Sequence, residues 1–357
     1  MEYDSNIKDA IQTELMLDGG VSRQSATVSR MDDSDFNSTV NNMLASGDLK
    51  NETKQKIEKL KNAEVFTLVI DENGNLQEAT SSKKGDVKAE FNKKVVFNDN
   101  KVASRKSNIK LATALVNQGS SSGNNTGAFH RLQTPASSST IYNGLVADSV
   151  TFPSYDITNA YSYGEAAYMY TGVDGVAEVG FEGVYSQTTA AGWYPVFHAK
   201  VSHQVTTGDD NNYPQPNGTE LTYVYRSKKY NGGDTISGYK VYYYSTDSTL
   251  TIREQINFSD IYVVKFPNLG STGRSVKRVT AIAMNNPTST TSDFHYSFTT
   301  PAVWRNTRFL TNNSAGFLYP AQVPGLANDV WLHGGHIDYT TNNVVTNSLV
   351  ESYLFTK

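Results

Sequence analysis

The feature that most constrains the fold is a succession of short β-forming segments from residue 128 to the end of the chain. About ten runs rich in Val, Ile, Thr, Tyr and Phe alternate there with Gly, Pro, Asn and Asp, and no helical periodicity lasts longer than a turn. The candidate strands are 165–171, 178–185, 194–202, 220–226, 237–244, 250–258, 275–283, 295–299, 330–339 and 349–355. A parallel sheet would need crossover helices between its strands, so the pattern predicts an antiparallel β-sandwich or jelly roll.

The first part of the chain has a different pattern. Apolar residues recur at helical spacing within 7–17, 33–44 and 51–61, which predicts three short amphipathic helices. An apolar, β-branched run at 65–70 then ends in a turn signal. Residues 1–117 are therefore predicted to form a small α+β module, either a pro-region or an adaptor.

Between these two regions lies a segment without apolar anchors. Residues 118–125 consist of Gln, Gly, Ser and Asn, a composition typical of flexible linkers. We therefore expect a linker at 118–127 and a separate sandwich domain at 128–357.

Composition excludes several functional classes. The formal net charge is −4 and no Lys/Arg cluster occurs, so neither nucleic acid nor an anionic membrane surface is an expected partner. The absence of cysteine excludes disulfides and thiolate sites. The sequence has no run of 18 apolar residues, so no membrane span is predicted.

Few charged residues (18%) and 22 tyrosines are typical of extracellular β proteins. We expect secretion, with Met1 standing in place of a removed leader because the start lacks signal-peptide character.

Four segments carry a family resemblance. Tyr168, Tyr170 and Gly172 fit a Tyr-x-Tyr-x-Gly motif, and 178–182, 193–195 and 217–225 follow in the same order as further strand motifs. In this succession the sequence resembles the YrpD-like family of small secreted proteins from Gram-positive soil bacteria, over roughly 128–305. The resemblance implies a concanavalin-like sandwich exported from the cell, and it implies no catalytic residues.

The sequence offers one pair of candidate catalytic carboxylates. Glu178 and Glu182 lie four residues apart on a predicted strand and so share a face. A jelly-roll family of glucanases places Glu-x-Asp-x-Glu on one strand, but here Gly180 occupies the middle position. An unbulged strand also separates positions i and i+4 by about 13 Å, more than a retaining glycosidase requires. The preferred interpretation is two solvated carboxylates without a catalytic role.

Metal ligands are a second possibility. His333, His336 and Asp338 fall within six residues and have the donor types that zinc prefers. Three ligands from a single turn strain the geometry, so a glycine-rich hairpin is the alternative. No resident cofactor is predicted. Calcium at 209–212, an Asp-Asp-Asn-Asn loop, is the minority alternative. The turn at 71–75 begins like a calcium loop but has Ser82 at the twelfth position, which favours a simple hairpin turn.

Tyrosines supply the candidate ligand-binding residues. Tyr223 and Tyr225 share one strand face, and Tyr242 and Tyr244 share a face with Lys240. Tyrosine rings stack on the apolar faces of sugars, although tyrosines that fill a β core would show the same alternation.

The leading functional hypothesis is non-enzymatic binding of a carbohydrate or cell-wall polymer outside the cell. A glycoside hydrolase or polysaccharide lyase using Glu178 and Glu182 is one alternative. A structural subunit of an extracellular matrix or appendage is another. The only Gly-x-Ser-x-Gly match, 119–123, lies in the predicted linker, where no strand leads in and no helix leads out, so a serine hydrolase is not indicated.

Overall fold

The computed structural model describes residues 4–18, 28–97, 117–121, 127–136, 139–156, 165–173, 177–184, 191–200, 219–246, 248–267, 275–284, 297–312, 316–333, 338–342 and 350–356. Three α-helices lie near the start: α1 (Ser5–Asp18), α2 (Asp33–Ala45) and α3 (Asn51–Leu60). The strands are β1 (Glu64–Ile70), β2 (Leu76–Ser81), β3 (Gly85–Asp86), β4 (Phe91–Phe97), β5 (Asn117–Ser121), β6 (Gly127–Gln133), β7 (Tyr142–Thr151), β8 (Tyr155–Asp156), β9 (Glu165–Val173), β10 (Ala177–Val184), β11 (Gly192–Lys200), β12 (Thr219–Tyr225), β13 (Thr235–Thr246), β14 (Thr249–Ile256), β15 (Asp260–Phe266), β16 (Val276–Met284), β17 (Ser297–Phe298), β18 (Ala302–Arg305), β19 (Arg308–Thr311), β20 (Phe317–Leu318), β21 (Ala327–His333), β22 (Asp338–Asn342) and β23 (Val350–Thr356).

Nearly all of these strands belong to two large sheets. In sheet A the order is β22-β23-β18-β7-β13-β14-β15-β1-β2-β3, with β19 and β20 attached beside β7. In sheet B the order is β4-β12-β11-β10-β9-β16-β6-β21-β5. Pairing is antiparallel except for β1 with β15 and β5 with β21. The prediction of a mainly antiparallel β fold is confirmed.

The two sheets pack face to face around one large core. Alternate residues of each strand point inward, as the period of two requires. Trp193 and Phe181 of sheet B and Tyr239 and Trp304 of sheet A are all fully buried there. Ring contacts cross the core between the sheets, for example Phe181 with Tyr239 at 5.8 Å between centroids.

The three helices cover the outer face of sheet A. Along β1, Phe66 and Leu68 face the intersheet core, whereas Val65 points to the helices. Ile261 and Val263 of β15 face the helices in the same way, against a stripe that includes Ile11 of α1 and other apolar helical residues. Among the described residues, no helix is long and apolar enough to cross a membrane.

Strands on either side of the predicted linker at 118–127 are neighbours in both sheets. Strands β1 to β3 extend sheet A beyond β15, and β4 extends sheet B beyond β12. Residues 117–121, at the start of the predicted linker, form β5 and pair with β21. The helical region and the sandwich therefore share their sheets and their core.

The carboxyl group of Glu254 lies inside the intersheet core. Glu254 on β14 is fully buried, directly across from Tyr262 on β15, and neither carboxylate oxygen has a hydrogen-bond partner among the described residues. Burial raises the pKa of Glu254 well above its ordinary value of 4.5. Folding therefore favours the protonated, neutral form of this group.

This burial predicts a pH dependence of stability. The folded pKa lies above the unfolded one, so the stability from Glu254 is complete below pH 4.5 and is lost as the pH rises towards the folded pKa. Because Gln is isosteric with the neutral acid, Glu254→Gln should be free of that loss. Relative to the parent, the variant should gain about 1.4 kcal/mol of unfolding free energy per pH unit above 4.5, up to the folded pKa.

Urea unfolding of both proteins at pH 5, 6 and 7 measures this difference in unfolding free energy. Glu78→Gln, at an exposed position, is the control. An equal pH slope for parent and Glu254→Gln would contradict the assignment.

Candidate functional site

The outer face of sheet B, opposite the core, carries a cluster of polar and aromatic side chains on three central strands. On β10, Val179 and Phe181 point into the core, so Glu178 and Glu182 lie on the outer face. Tyr168 and Tyr170 on β9 and Lys277 on β16 lie on the same face. We call this cluster, Tyr168, Tyr170, Glu178, Glu182 and Lys277, the tyrosine–carboxylate face.

Glu178 is held in an ion pair that crosses an intervening strand. Lys277 Nζ lies 2.6 Å from Glu178 Oε1, and both side chains are largely buried. Gly172 of β9 lies between them in register, paired with Glu178 on one side and Lys277 on the other. A Cβ atom at Gly172 would lie 2.4 Å from Lys277 Cε, so the glycine leaves the path that the lysine needs to reach Glu178.

The glycine between the two carboxylates is required by close packing of two strands. Gly180 pairs with Tyr170 and has φ of +153°. A Cβ atom there would lie 2.4 Å from the carbonyl oxygen of Met169 and 2.5 Å from Tyr170 Cα. No side chain fits at this position, which explains why the motif lacks the middle Asp of the glucanase pattern.

Glu182 differs from Glu178 in its surroundings. It is fully buried, and it pairs in register with Tyr168 and Tyr194 on the two neighbouring strands. The Tyr168 hydroxyl donates a hydrogen bond to Glu182 Oε1 at 3.4 Å. Beside it, the rings of Tyr168 and Tyr170 meet edge to face at 6.4 Å, and both remain partly exposed. Their exposed parts offer a ligand the aromatic surface of this face.

The expectation of two solvated carboxylates is wrong, because Glu182 has no exposed surface and Glu178 is neutralised by Lys277. The arrangement also does not suit a two-carboxylate glycosidase mechanism. That mechanism needs a free nucleophile or base and a protonated acid roughly 5 to 9.5 Å apart, whereas positions i and i+4 of a strand are about 13 Å apart.

Tyr223 and Tyr225 face the core and not a ligand surface. Tyr223 is 3% exposed and Tyr225 is 1% exposed. The Tyr223 hydroxyl donates to the carbonyl of Gly74 at 2.8 Å and accepts from the Leu76 amide at 2.7 Å, which ties the β1–β2 turn to sheet B. The ring of Tyr225 stacks on Phe91 at 4.8 Å. Both side chains therefore belong to the core, and their assignment as ligand-binding residues stays a prediction.

Tyr242 and Tyr244 share a face with Lys240, as predicted, and it is the outer face of sheet A. Their rings lie 6.0 Å apart, and the guanidinium of Arg253 lies 5.4 Å from the Tyr242 centroid. Arg253 in turn pairs with Asp9 of α1 at 3.1 Å, so helix α1 lies beside the tyrosines. Both rings are partly exposed, and a binding role for them stays a prediction.

The candidate metal ligands are only partly within the described residues. His333 ends β21 in sheet B and Asp338 begins β22 in sheet A, whereas His336 and 209–212 lie outside the described part of the chain. No group of three or more acidic or histidine side chains suited to a metal occurs among the described residues. Asp71 Oδ1 accepts hydrogen bonds from the Asn73 and Asn75 amides, which confirms the hairpin turn predicted there.

Sequence reasoning missed a buried polar network between the two sheets. Arg278 is fully buried, pairs with Glu351, and donates hydrogen bonds to Thr307 Oγ1 at 2.8 Å and Tyr353 Oη at 2.7 Å. The ring of His130 stacks on Tyr353 at 4.1 Å. The sequence feature that could have predicted this network is the adjacent pair Lys277 and Arg278 within a predicted strand. Neighbouring strand residues point to opposite faces, so one of the two charges must enter the core.

Comparison with known proteins adds no family assignment. No family model matches the chain, and no curated protein matches it.

Proposed function

We propose that this protein is an extracellular, non-enzymatic binding protein that recognises a carbohydrate or cell-wall polymer on the tyrosine–carboxylate face. The observation that carries the proposal is the pair of partly exposed rings of Tyr168 and Tyr170 beside the Glu178–Lys277 ion pair. An aromatic surface next to fixed polar groups suits sugars, which present apolar ring faces edged by hydroxyls.

The position of the face in the sheet supports a polymeric ligand. Strands β9, β10 and β16 lie near the middle of sheet B, which has nine strands among the described residues. At about 4.8 Å per strand such a sheet is roughly 38 Å wide, and the partly exposed rings of Tyr168 and Tyr170 lie near its middle. The low content of charged residues (18%), the 22 tyrosines and the resemblance to the YrpD-like family support an extracellular location and a concanavalin-like jelly roll.

The test is retention of the full chain on insoluble cellulose, chitin, xylan and purified Gram-positive cell wall. Each stacked ring contributes on the order of 1 kcal/mol. Loss of both rings in a Tyr168→Ala/Tyr170→Ala variant should therefore weaken binding by about tenfold or more. Retention is measured as depletion from solution over a range of polymer concentrations.

The comparison variant is Tyr242→Ala/Tyr244→Ala, which removes the other pair of partly exposed candidate tyrosines, on the outer face of sheet A; if the site is on sheet B alone, this variant binds as the parent does. Equal retention of both double variants, with unchanged melting temperatures, would overturn the proposal, as would failure of the parent to bind any polymer. Loss of binding in the comparison variant alone would move the site to sheet A, and release of soluble sugar would indicate the hydrolase alternative.

A further inference from the structure

A row of side chains crosses the outer face of sheet B at right angles to its strands. From β10 to β6 the row contains Glu182, Tyr168, Ala281 and Phe129, each paired in register with the next. Glu182 and Ala281 have no exposed surface, whereas Tyr168 and Phe129 are both partly exposed. The exposed part of this row therefore consists of two aromatic residues.

The alternation of β6 places Phe129 on the outer face. Its neighbours Ala128 and His130 are fully buried, and the ring of His130 stacks on Tyr353 of sheet A inside the core. Adjacent residues of a strand point to opposite sides of the sheet, so Phe129 points away from the core. A second aromatic ring therefore lies beside the tyrosine–carboxylate face, in the same row as Tyr168.

The spacing of the two rings is set by the sheet. Tyr168 on β9 and Phe129 on β6 are separated by one strand, β16, so at about 4.8 Å per strand they are roughly 10 Å apart. The residue between them is Ala281, whose methyl group leaves no bulky side chain between the rings. This separation is wider than a single sugar ring, so each aromatic residue is placed to contact a different sugar unit of one chain.

Two ion pairs lie next to this row, on the side of Tyr170. One is the pair of Glu178 with Lys277, and the other joins Arg131 Nη2 on β6 to Asp329 Oδ2 on β21 at 3.0 Å. The side chains of Lys277 and Arg131 are only 4% and 9% exposed. Lys277 Nζ also lies 5.5 Å from the centroid of the Tyr170 ring.

These pairs determine which charge a ligand can carry. A charged polymer is held by accessible ions of the opposite sign. Both cations beside the row are largely buried and already engaged by carboxylates, and those carboxylates are neutralised in turn. Glu182, the charged member of the row, has no exposed surface. The row and the two pairs beside it therefore offer stacking surface without net accessible charge.

We infer that the ligand of this face is an uncharged polysaccharide that lies across β9, β16 and β6, with one sugar unit on Tyr168 and another on Phe129. The inference rests on the proposed function, because it concerns the same face of sheet B. It adds Phe129 as a binding residue, the direction of the chain across the strands, and the class of polymer.

The first experiment measures retention of full-length Phe129→Leu and Phe129→Ala on the same insoluble polymers. Phe129→Leu keeps a large apolar side chain but removes the aromatic ring, so it should weaken retention about fivefold, as should Phe129→Ala. The matched control is Phe317→Ala, at a partly exposed position on β20 of sheet A, which should bind as the parent does.

The result for Phe129 is distinguishable from the result for the tyrosines. Parent-like retention of folded Phe129→Leu would overturn the inference, even where Tyr168→Ala/Tyr170→Ala loses binding and so supports the proposed function. If Phe129→Ala does not fold, Phe129→Leu decides. A parent that binds none of the polymers would overturn the inference and the proposed function together.

The second experiment tests the charge of the ligand and uses the parent protein alone. Retention should change less than twofold between 50 and 500 mM NaCl, because an uncharged ligand forms no ion pairs that salt can screen. A larger loss at 500 mM would overturn the inference. Where purified cell wall retains the protein, removal of its anionic teichoic acid should not weaken retention, and loss of binding to the stripped wall would contradict an uncharged ligand.

Discussion

Replacement of Arg278 with Met is expected to lower the free energy of unfolding by about 3–5 kcal/mol, because it leaves the carboxylate of Glu351 buried without its cation. Arg278 has no exposed surface and Glu351 has 3%. Burial by itself would lower the pKa of Arg278, but the charge of Glu351 and the hydroxyl of Tyr353 raise it, so the guanidinium stays charged in the core. Guanidinium chloride unfolding, followed by tryptophan fluorescence and circular dichroism together, measures the loss.

Two further variants separate the buried charge from general damage to the core. The double variant Arg278→Met/Glu351→Met removes both charges and should recover most of the lost stability, since a buried ion pair contributes little net stability relative to apolar side chains. Arg305→Met, at an exposed position on β18, should change stability by less than about 0.5 kcal/mol. A double variant no more stable than Arg278→Met would show that shape, and not charge, governs this site.

Acidification from pH 6.5 to pH 3 is expected to remove on the order of 4–5 kcal/mol of stability through His130 alone. Burial, followed by the charge of Arg278, lowers the pKa of His130 to about 3 from its ordinary value of 6.5. The ring is held neutral, with Nε2 donating to Asn328 Oδ1 at 2.9 Å. Between these two pKa values the unfolded chain binds a proton that the folded chain does not, so stability falls as the pH falls.

The measurement compares the parent with His130→Gln at pH 7, 6, 5 and 4. Other groups also titrate in this range, so the informative quantity is the difference between the two pH slopes. The parent should lose about 1.4 kcal/mol more per pH unit below 6.5 than His130→Gln, which has nothing to protonate at this position. Parallel slopes would show that His130 takes up its proton in the folded protein. The expected trend is opposite in sign to that of Glu254, so the two variants together report on both ends of the stability profile.

The period-two pattern predicted which residues share a strand face, but it did not predict which face is the core. Tyr223 and Tyr225 share a face as expected, yet that face is buried because β4 pairs with β12 and the β1–β2 turn packs against it. Tyr242 and Tyr244 also share a face, beside α1. The burial of each pair depends on segments that are distant in sequence, which local alternation cannot identify.

All seven strands predicted between 165 and 283 are present. Two observed strands that the sequence pattern did not predict have physical reasons for their weak signal. Strand β15 follows β14 through a tight turn in which Asn257 and Phe258 both have positive φ. Such turns usually contain Gly, so Phe258 gave no turn signal. In β7, small and polar residues such as Gly144, Ala147 and Ser149 weaken the β-branched pattern.

The candidate site was only partly predictable. The Glu178–Glu182 pair was identified, but its partner Lys277 lies on another strand about a hundred residues later in the sequence. Tyr168 and Tyr170 were noted only as part of a family motif. Their place beside the ion pair depends on the register of β9 between β10 and β16.

The parallel pairing of β1 with β15 has a consequence for how the chain reaches its native state. Glu64 pairs with Asp260, roughly 200 residues later, and the helices pack on the surface that this pairing creates. During synthesis the N-terminal segment therefore emerges long before its partner strand exists. Such non-local pairing slows folding and prolongs the exposure of apolar surface and unpaired strand edges. Chains that end before residue 260 lack the strand on which β1 and the helices assemble, so the apolar surface of these segments stays uncovered until that strand has been made.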